Sequence, residues 1–187
     1  MSLESPQSRQ EIIDALEQQG IASVAYFDAF DTGTFFRSIG SSWSPADTVR
    51  HLSKSTRPVA KALGTSKLVL RFLFGKAGRG SLTYDELRTR YLGALAEGAQ
   101  AGRFAPSARS EEDPESWRAG IMRDFTSVNE NLRKAIVRWP ESKLDRLRLP
   151  HPLLGKLTIR EMLFFTLYHH RHHVGVVQRH LSEIGTR

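Results

Sequence analysis

Between Asp113 and Pro140 the chain reads DPESWRAGIMRDFTSVNENLRKAIVRWP, with apolar residues at Trp117, Ile121, Phe125, Val128, Leu132 and Ile136. Steps of three and four put all six on one side of an α-helix, whereas a strand would scatter them over both faces. Asp113 and Pro114 supply a start signal, and Pro140 supplies a stop. A stripe this long must be buried against something. No strand-like alternation persists elsewhere in the sequence, so the partner surfaces are expected to be helices too.

Three further long helices are readable. In SRQEIIDALEQQGIASVAYFDAF, residues Ile12, Ile13, Leu16, Val24 and Phe27 fall near one face, and Gly20 weakens the helix without breaking it. WSPAD opens a second helix, with Ser44 as N-cap, Pro45 at the first helical position and Asp47 three residues after the cap. Pro58 lacks a backbone N–H and predicts a kink or break there, with a helical continuation through VAKALGTSKLVLRFLF. The last helix begins at a Thr158/Glu161 capping box and runs through TIREMLFFTLYHHRHHVGVVQRHL. A shorter helix, opened by Thr83 and Glu86, lies between the second and third long ones and is expected to stop near Gly102. PESKLDRLRLPHPLLGKL reads as a connector. The expected architecture is all-α: a single four-helix-bundle domain over 1–187 with one extra short helix.

Composition removes several classes of function. The chain contains no cysteine, so thiolate ligands, disulfides and a cysteine nucleophile are excluded, and any thiol would have to arrive as a co-substrate. No stretch approaches the ~20 apolar residues of a membrane span. No signal segment is visible in MSLESPQSRQEII, which leads to the expectation of a cytoplasmic protein without membrane partners. The net charge of +7 comes from scattered Lys and Arg, a pattern that favours a solvated basic surface over a nucleic-acid footprint. GKAGRGS lacks the spacing of a phosphate-binding loop.

Five of the seven histidines lie in YHHRHHVGVVQRH, from Tyr168 to His180. His169 and His173 are four apart and share a helical face with Phe165 and Val177, so they face the bundle interior and are spaced to share one metal ion. A lone pair of this kind is more often structural than metal-binding. A third ligand from another element changes that balance, and His51, flanked by Val49 and Leu52 on the second helix, is the candidate. His170 and His172 are expected at the rim or in solvent, and His180 is a neighbour rather than a ligand.

WSPADTVRHL, followed about 120 residues later by HHRHHVGVVQ, resembles the DinB/YfiT-like superfamily, and HPLLGKLTIREML resembles that family's connector into its last helix. The resemblance spans nearly the whole chain. It implies a four-helix bundle with up-up-down-down connectivity, frequent dimerisation, and a divalent transition metal, typically zinc or nickel, held by His51, His169 and His173. Some members resemble thiol-dependent transferases or isomerases that use a low-molecular-weight thiol. Others resemble hydrolases.

Three neutral imidazoles would leave such a metal its full charge and at least one open position, suited to activating either a thiol for transfer or water for hydrolysis. Asp47 and Glu161 are already explained as helix caps, so no general base stands out, which tilts the balance towards binding an anion or thiolate. Arg171 and Arg179 are candidate anion contacts, His151 a candidate support outside the ligand set, Gln178 and Tyr168 candidate tautomer-fixing partners, and Trp43 a staple or lid. The leading reading is a metal-dependent enzyme acting on a small molecule, as a thiol S-transferase or a hydrolase. The alternatives are a non-catalytic, stress-related metal-binding protein and, behind it, a basic bundle that interacts with nucleic acid. The first helix and LVLRFLF are each candidate dimer interfaces.

Overall fold

The computed structural model describes residues 5–40, 42–107 and 113–185. The helices are α1 (Arg9–Asp28), α2 (Thr32–Phe36), α3 (Pro45–Gly64), α4 (Lys67–Phe74), α5 (Tyr84–Ala96), α6 (Pro114–Val137) and α7 (Ile159–Gly185). Two short strands, β1 (Arg148–His151) and β2 (Gly155–Thr158), lead into α7. The four long helices α1, α3, α6 and α7 form the bundle. α1 and α3 each pack on both α6 and α7, so α1 sits diagonally from α3, and α6 from α7. The diagonal connections are α1 to α3, which carries α2, and α6 to α7, which carries the two strands, while the segment that carries α4 and α5 joins the neighbours α3 and α6. Among the described residues no helix is long and apolar enough to cross a membrane.

The caps are formed as their sequences require. Ser44 accepts the Asp47 N–H at the start of α3, and Ser8 and Thr83 complete capping boxes with Glu11 and Glu86. At the start of α7, Glu161 Oε2 accepts the Thr158 N–H at 2.8 Å, and Thr158 Oγ1 accepts the Glu161 N–H at 3.1 Å. Glu161 is fully buried and does more than cap: Oε1 also accepts the Leu82 N–H at 2.7 Å, and Arg79 pairs with the carboxylate. The segment before α5 is thereby tied to the first turn of α7.

Several expectations are corrected. α3 runs without interruption through Pro58 to Gly64. Its packing between α6 and α7 outweighs the single hydrogen bond that proline removes, and one turn earlier Ser55 Oγ donates to the Leu52 carbonyl at 3.0 Å. The continuation after Pro58 is divided, with α4 a separate helix beginning at Lys67. Two short helices, α4 and α5, therefore lie between the second and third long ones, and α5 ends at Ala96, before Gly102. The connector before α7 contains an antiparallel hairpin that pairs Arg148 with Thr158 and His151 with Gly155. Gly155 sits at φ +74°, the left-handed position that closes a three-residue hairpin loop. Alternation hides there because the strands are four residues long and β1 contains Pro150. In α4 only Leu70 is buried, while Leu68, Val69, Phe72 and Leu73 are exposed, so this face is not core.

The core divides into two clusters. One gathers around Trp139, Leu132, Leu163 and Phe164, and the other around Phe27, Phe35, Phe125 and Val177. Trp139 is wholly buried, and its Nε1–H donates to the Leu63 carbonyl at 2.9 Å, satisfying an acceptor in the last turn of α3. Between the two clusters lies a layer of buried polar side chains: His51, Ser53 and Thr56 from α3, and His169 and His170 from α7.

Glu161→Ala should lower stability by about 3 kcal/mol, because it leaves two amide donors and Arg79 without their acceptor. Urea denaturation monitored by circular dichroism measures the loss, and a change within about 0.5 kcal/mol would show that the carboxylate does not tie the α5 entry to α7.

Candidate metal centre

His51 stands two turns into α3, at a rotation set by the Ser44 cap, and His169 and His173 stand one turn apart on α7. The structure brings the three together: one nitrogen from each lies within 4.8 Å of the other two. The ring centroids form a near-equilateral triangle, 4.9 Å from His51 to His169 and 4.6 Å from His173 to each of the others. Trp43 stacks on His173 at 5.9 Å and tilts over His51 at 4.8 Å, and Phe165 stacks on His169 at 4.9 Å.

The surrounding hydrogen bonds assign the His51 tautomer. His51 Nδ1 lies 2.9 Å from the Phe104 carbonyl, which can only accept, so Nδ1 carries the proton and Nε2 a lone pair. Ser55, whose hydroxyl hydrogen goes to the Leu52 carbonyl, lies 3.5 Å from His169 Nδ1, at the far limit of a hydrogen bond. The Nε2 atoms of His51 and His169 face each other at 3.0 Å, an ordinary N–H···N distance when His169 carries its proton on Nε2 and donates it to the His51 lone pair. With the His169 proton on Nδ1 instead, both Nε2 lone pairs are free for a shared cation. Two nitrogens on one tetrahedral zinc lie about 3.3 Å apart, so the donor set fits a divalent metal.

Burial keeps the three rings neutral. His169 is held well below its ordinary pKa, first by burial and then by His173 and His51. His173 is pushed down to about 2, again chiefly by burial, with His51 and His172 adding to it. His51 is lowered by burial, partly offset by its bond to Phe104. Neutral imidazole is the metal-binding form, so protons do not compete at neutral pH.

The trio forms part of the wall of a cavity of about 690 Å³, within the range of small-molecule sites. Its other walls come from α3, α5, the segment after α5, the β1 hairpin and α7, with Val59, Leu95, Phe104, Leu149 and Met162 among them. Among the described lining residues there is no carboxylate, and Arg103 is the one charged side chain.

The remaining candidates are distributed as follows. His170 does not reach the rim: it is 2% exposed, lies 2.9 Å from Thr56 Oγ1 and stacks on Phe125. The wheel argument failed because α7 is covered on two sides, by α3 and α6 residues as well as by α5. His172 is half-buried and lines the cavity beside His173, with Tyr91 at its edge. His151 is buried, packs edge-on against Phe165 at 4.2 Å and lines the cavity. Asp47 stays with Ser44 and Arg50, and Glu161 with its cap. Arg171 donates to the Tyr84 hydroxyl rather than to the cavity. Arg179 and Gln178 are exposed and do not line the cavity, nor does His180. Tyr168 packs among Tyr84, Tyr91 and His172. The His51 tautomer is set instead by the Phe104 carbonyl, and Ser55 stands beside His169 Nδ1. Ser55 could have been found, since it lies one turn after His51. A backbone carbonyl 53 residues away leaves no trace in side-chain spacing.

Residues 15–177 match the model of the DinB superfamily. Two solved structures share the fold. The four-helix bundle protein TT2238 is 17% identical with a TM-score of 0.57, the match covering 92% of this chain and 99% of that one. YfiT from Bacillus subtilis, described as a probable metal-dependent hydrolase with an unusual four-helix bundle topology, is 13% identical with a TM-score of 0.54, covering 95% of this chain and 87% of that one. No curated protein matches the sequence.

Burial lowers the His151 pKa to about 4. A lowered histidine pKa contributes stability that is present above the unfolded value of about 6.5 and lost as pH falls from there towards 4. Metal-free protein should therefore lose about 2 kcal/mol through His151 between pH 6.5 and pH 5. In urea titrations His151→Phe should lose less over that interval by the same amount, and parallel pH profiles for the two proteins would contradict the assignment.

Proposed function

The chain belongs to the DinB superfamily, and from that membership we propose that it is a metal-dependent enzyme acting on a small molecule. His51, His169 and His173 hold one divalent transition metal, zinc or nickel. The observation that carries this reading is the convergence of three imidazoles from two helices, one nitrogen of each within 4.8 Å of the others, on the wall of a cavity large enough for a substrate. Bound there, the cation would supply Lewis acidity, lowering the pKa of a thiol or a water at the position the three imidazoles leave open.

The chain's own residues do the rest. The Phe104 carbonyl holds His51 in the ligating tautomer, Ser55 stands ready to accept from His169 Nδ1, Trp43 covers His51 and His173, and the apolar walls give the substrate's body its contact. A carboxylate base is missing from the described lining, which favours a low-molecular-weight thiol co-substrate: its S–H bond breaks with the proton passing to solvent, its sulfur forms a bond to an electrophilic carbon, and that carbon's leaving group departs to solvent with the bonding pair. Hydrolysis is the second reading. It is supported by the likeness to YfiT and by His172, a half-buried imidazole on the cavity wall whose pKa is lowered by burial and that could accept a proton from water. The substrate-sized cavity supports either enzyme over a purely metal-binding role.

Elemental analysis of tag-free protein should find about one transition metal per chain, lost in His51→Ala and in His169→Ala while the helical circular dichroism signal survives. No metal after refilling with zinc or nickel would overturn the proposal. With metal present, turnover of an electrophile that requires added thiol supports transfer, whereas thiol-independent ester or amide cleavage supports hydrolysis.

A further inference from the structure

The hairpin before α7 holds a second polar group against the cavity. His151 Nδ1 accepts two backbone amides, from Leu153 at 3.3 Å and from Leu154 at 3.1 Å. An imidazole nitrogen that accepts amide N–H groups carries a lone pair, so in the neutral ring the proton must reside on Nε2. Phe165 packs against the ring and separates it from His169, so His151 lies outside the ligand triangle. Its Nε2–H has no hydrogen-bond partner among the described residues, and the ring lines the cavity. Because the hairpin loop uses up Nδ1, the ring cannot exchange tautomers without breaking the loop, and His151 is a donor only.

The rest of the lining matches a donor of this kind. Most of the wall is apolar, it includes no carboxylate among the described residues, and its one charged side chain is Arg103. Such a wall has no negative charge for a ligand's cation, and His151 adds a neutral N–H of fixed tautomer to the donors it offers an acceptor. We propose that His151 is a substrate-positioning residue, and that the cavity takes a molecule with an apolar body bearing a carbonyl or carboxylate oxygen that accepts the His151 Nε2–H. The inference rests on this cavity being the substrate site of the proposed enzyme, but it does not require that a metal be held.

Octanoate serves as the probe, followed by NMR on protein carrying ¹⁵N-labelled histidine, in zinc-loaded and EDTA-treated forms. The free protein should show His151 with Nε2 protonated and Nδ1 bare. Octanoate should shift that Nε2–H resonance in both forms, together with the Trp43 and Tyr91 ring signals that report cavity occupancy. His151→Phe, which keeps an aromatic ring against Phe165, should weaken octanoate about tenfold in the EDTA-treated form. Octylammonium, the matched cation, should bind the zinc-loaded protein at least about tenfold more weakly than octanoate does. A wild-type measurement remains decisive if the variant misfolds: cavity signals that move while the His151 Nε2–H stays still would overturn the proposal. So would equal octanoate affinity in wild type and folded His151→Phe, equal affinity for the two probes, or no octanoate binding to either form. If zinc is not retained but the EDTA-treated response is as expected, the metal reading falls and this inference stands.

Discussion

The 3.0 Å approach of His51 Nε2 to His169 Nε2 is the contact around which the bundle is arranged. It joins α3 to α7 through two buried imidazoles. Their surroundings fix both rings: the Phe104 carbonyl and Ser55 stand on the far side of each ring, Trp43 and Phe165 hold the faces, and apolar clusters lie above and below the layer. A polar layer in the middle of a core costs stability unless its members are satisfied. His170 meets that condition with Thr56. His51 meets it with the Phe104 carbonyl and with His169.

The rotation of each helix follows from how it starts. The Ser44 cap and Pro45 set where α3 begins, and His51 follows two turns later on the inward face. The Thr158 and Glu161 pair sets the start of α7, and the same carboxylate ties in the Leu82 amide and Arg79. The loop before α5 and the helix that bears His169 and His173 therefore share one buried anchor. Because α5 contributes Tyr91 and Leu95 to the cavity wall, the anchor also sets the distance between that wall and the histidine triangle.

Much of this arrangement was readable in the sequence, because long helices write their phase into it. Trp117 to Ile136, the WSPAD cap and the Thr158/Glu161 box each give a periodicity and a starting point, and together they place His51, His169 and His173 on inward faces. What depends on tertiary contact was not readable. Pro58 argues locally for a break, yet α3 is held between α6 and α7. His170 looks outward on an isolated wheel, yet α7 has no bare side at that level. The β hairpin is too short to alternate. The Phe104 carbonyl, which decides the His51 tautomer, belongs to a backbone whose position owes nothing to the identity of its side chain.

The chemistry of the cavity follows from how few charges it contains. Burying three imidazolium ions together would be prohibitive, so burial keeps His51, His169 and His173 neutral. Neutral ligands leave the double charge of a bound divalent cation uncompensated, and an apolar wall screens that charge poorly. Any group drawn to the open position is therefore one that brings negative charge or can acquire it by losing a proton, such as a thiol, a water or a carboxylate. A lining carboxylate would weaken that preference by supplying the charge itself, and the described lining has none. His151 adds a donor at the far side of Phe165, in a tautomer that its own hairpin loop maintains. The two polar ends of the cavity thus ask for the same property in a ligand, electron-rich atoms on an apolar frame, and the wall between them supplies the apolar contact.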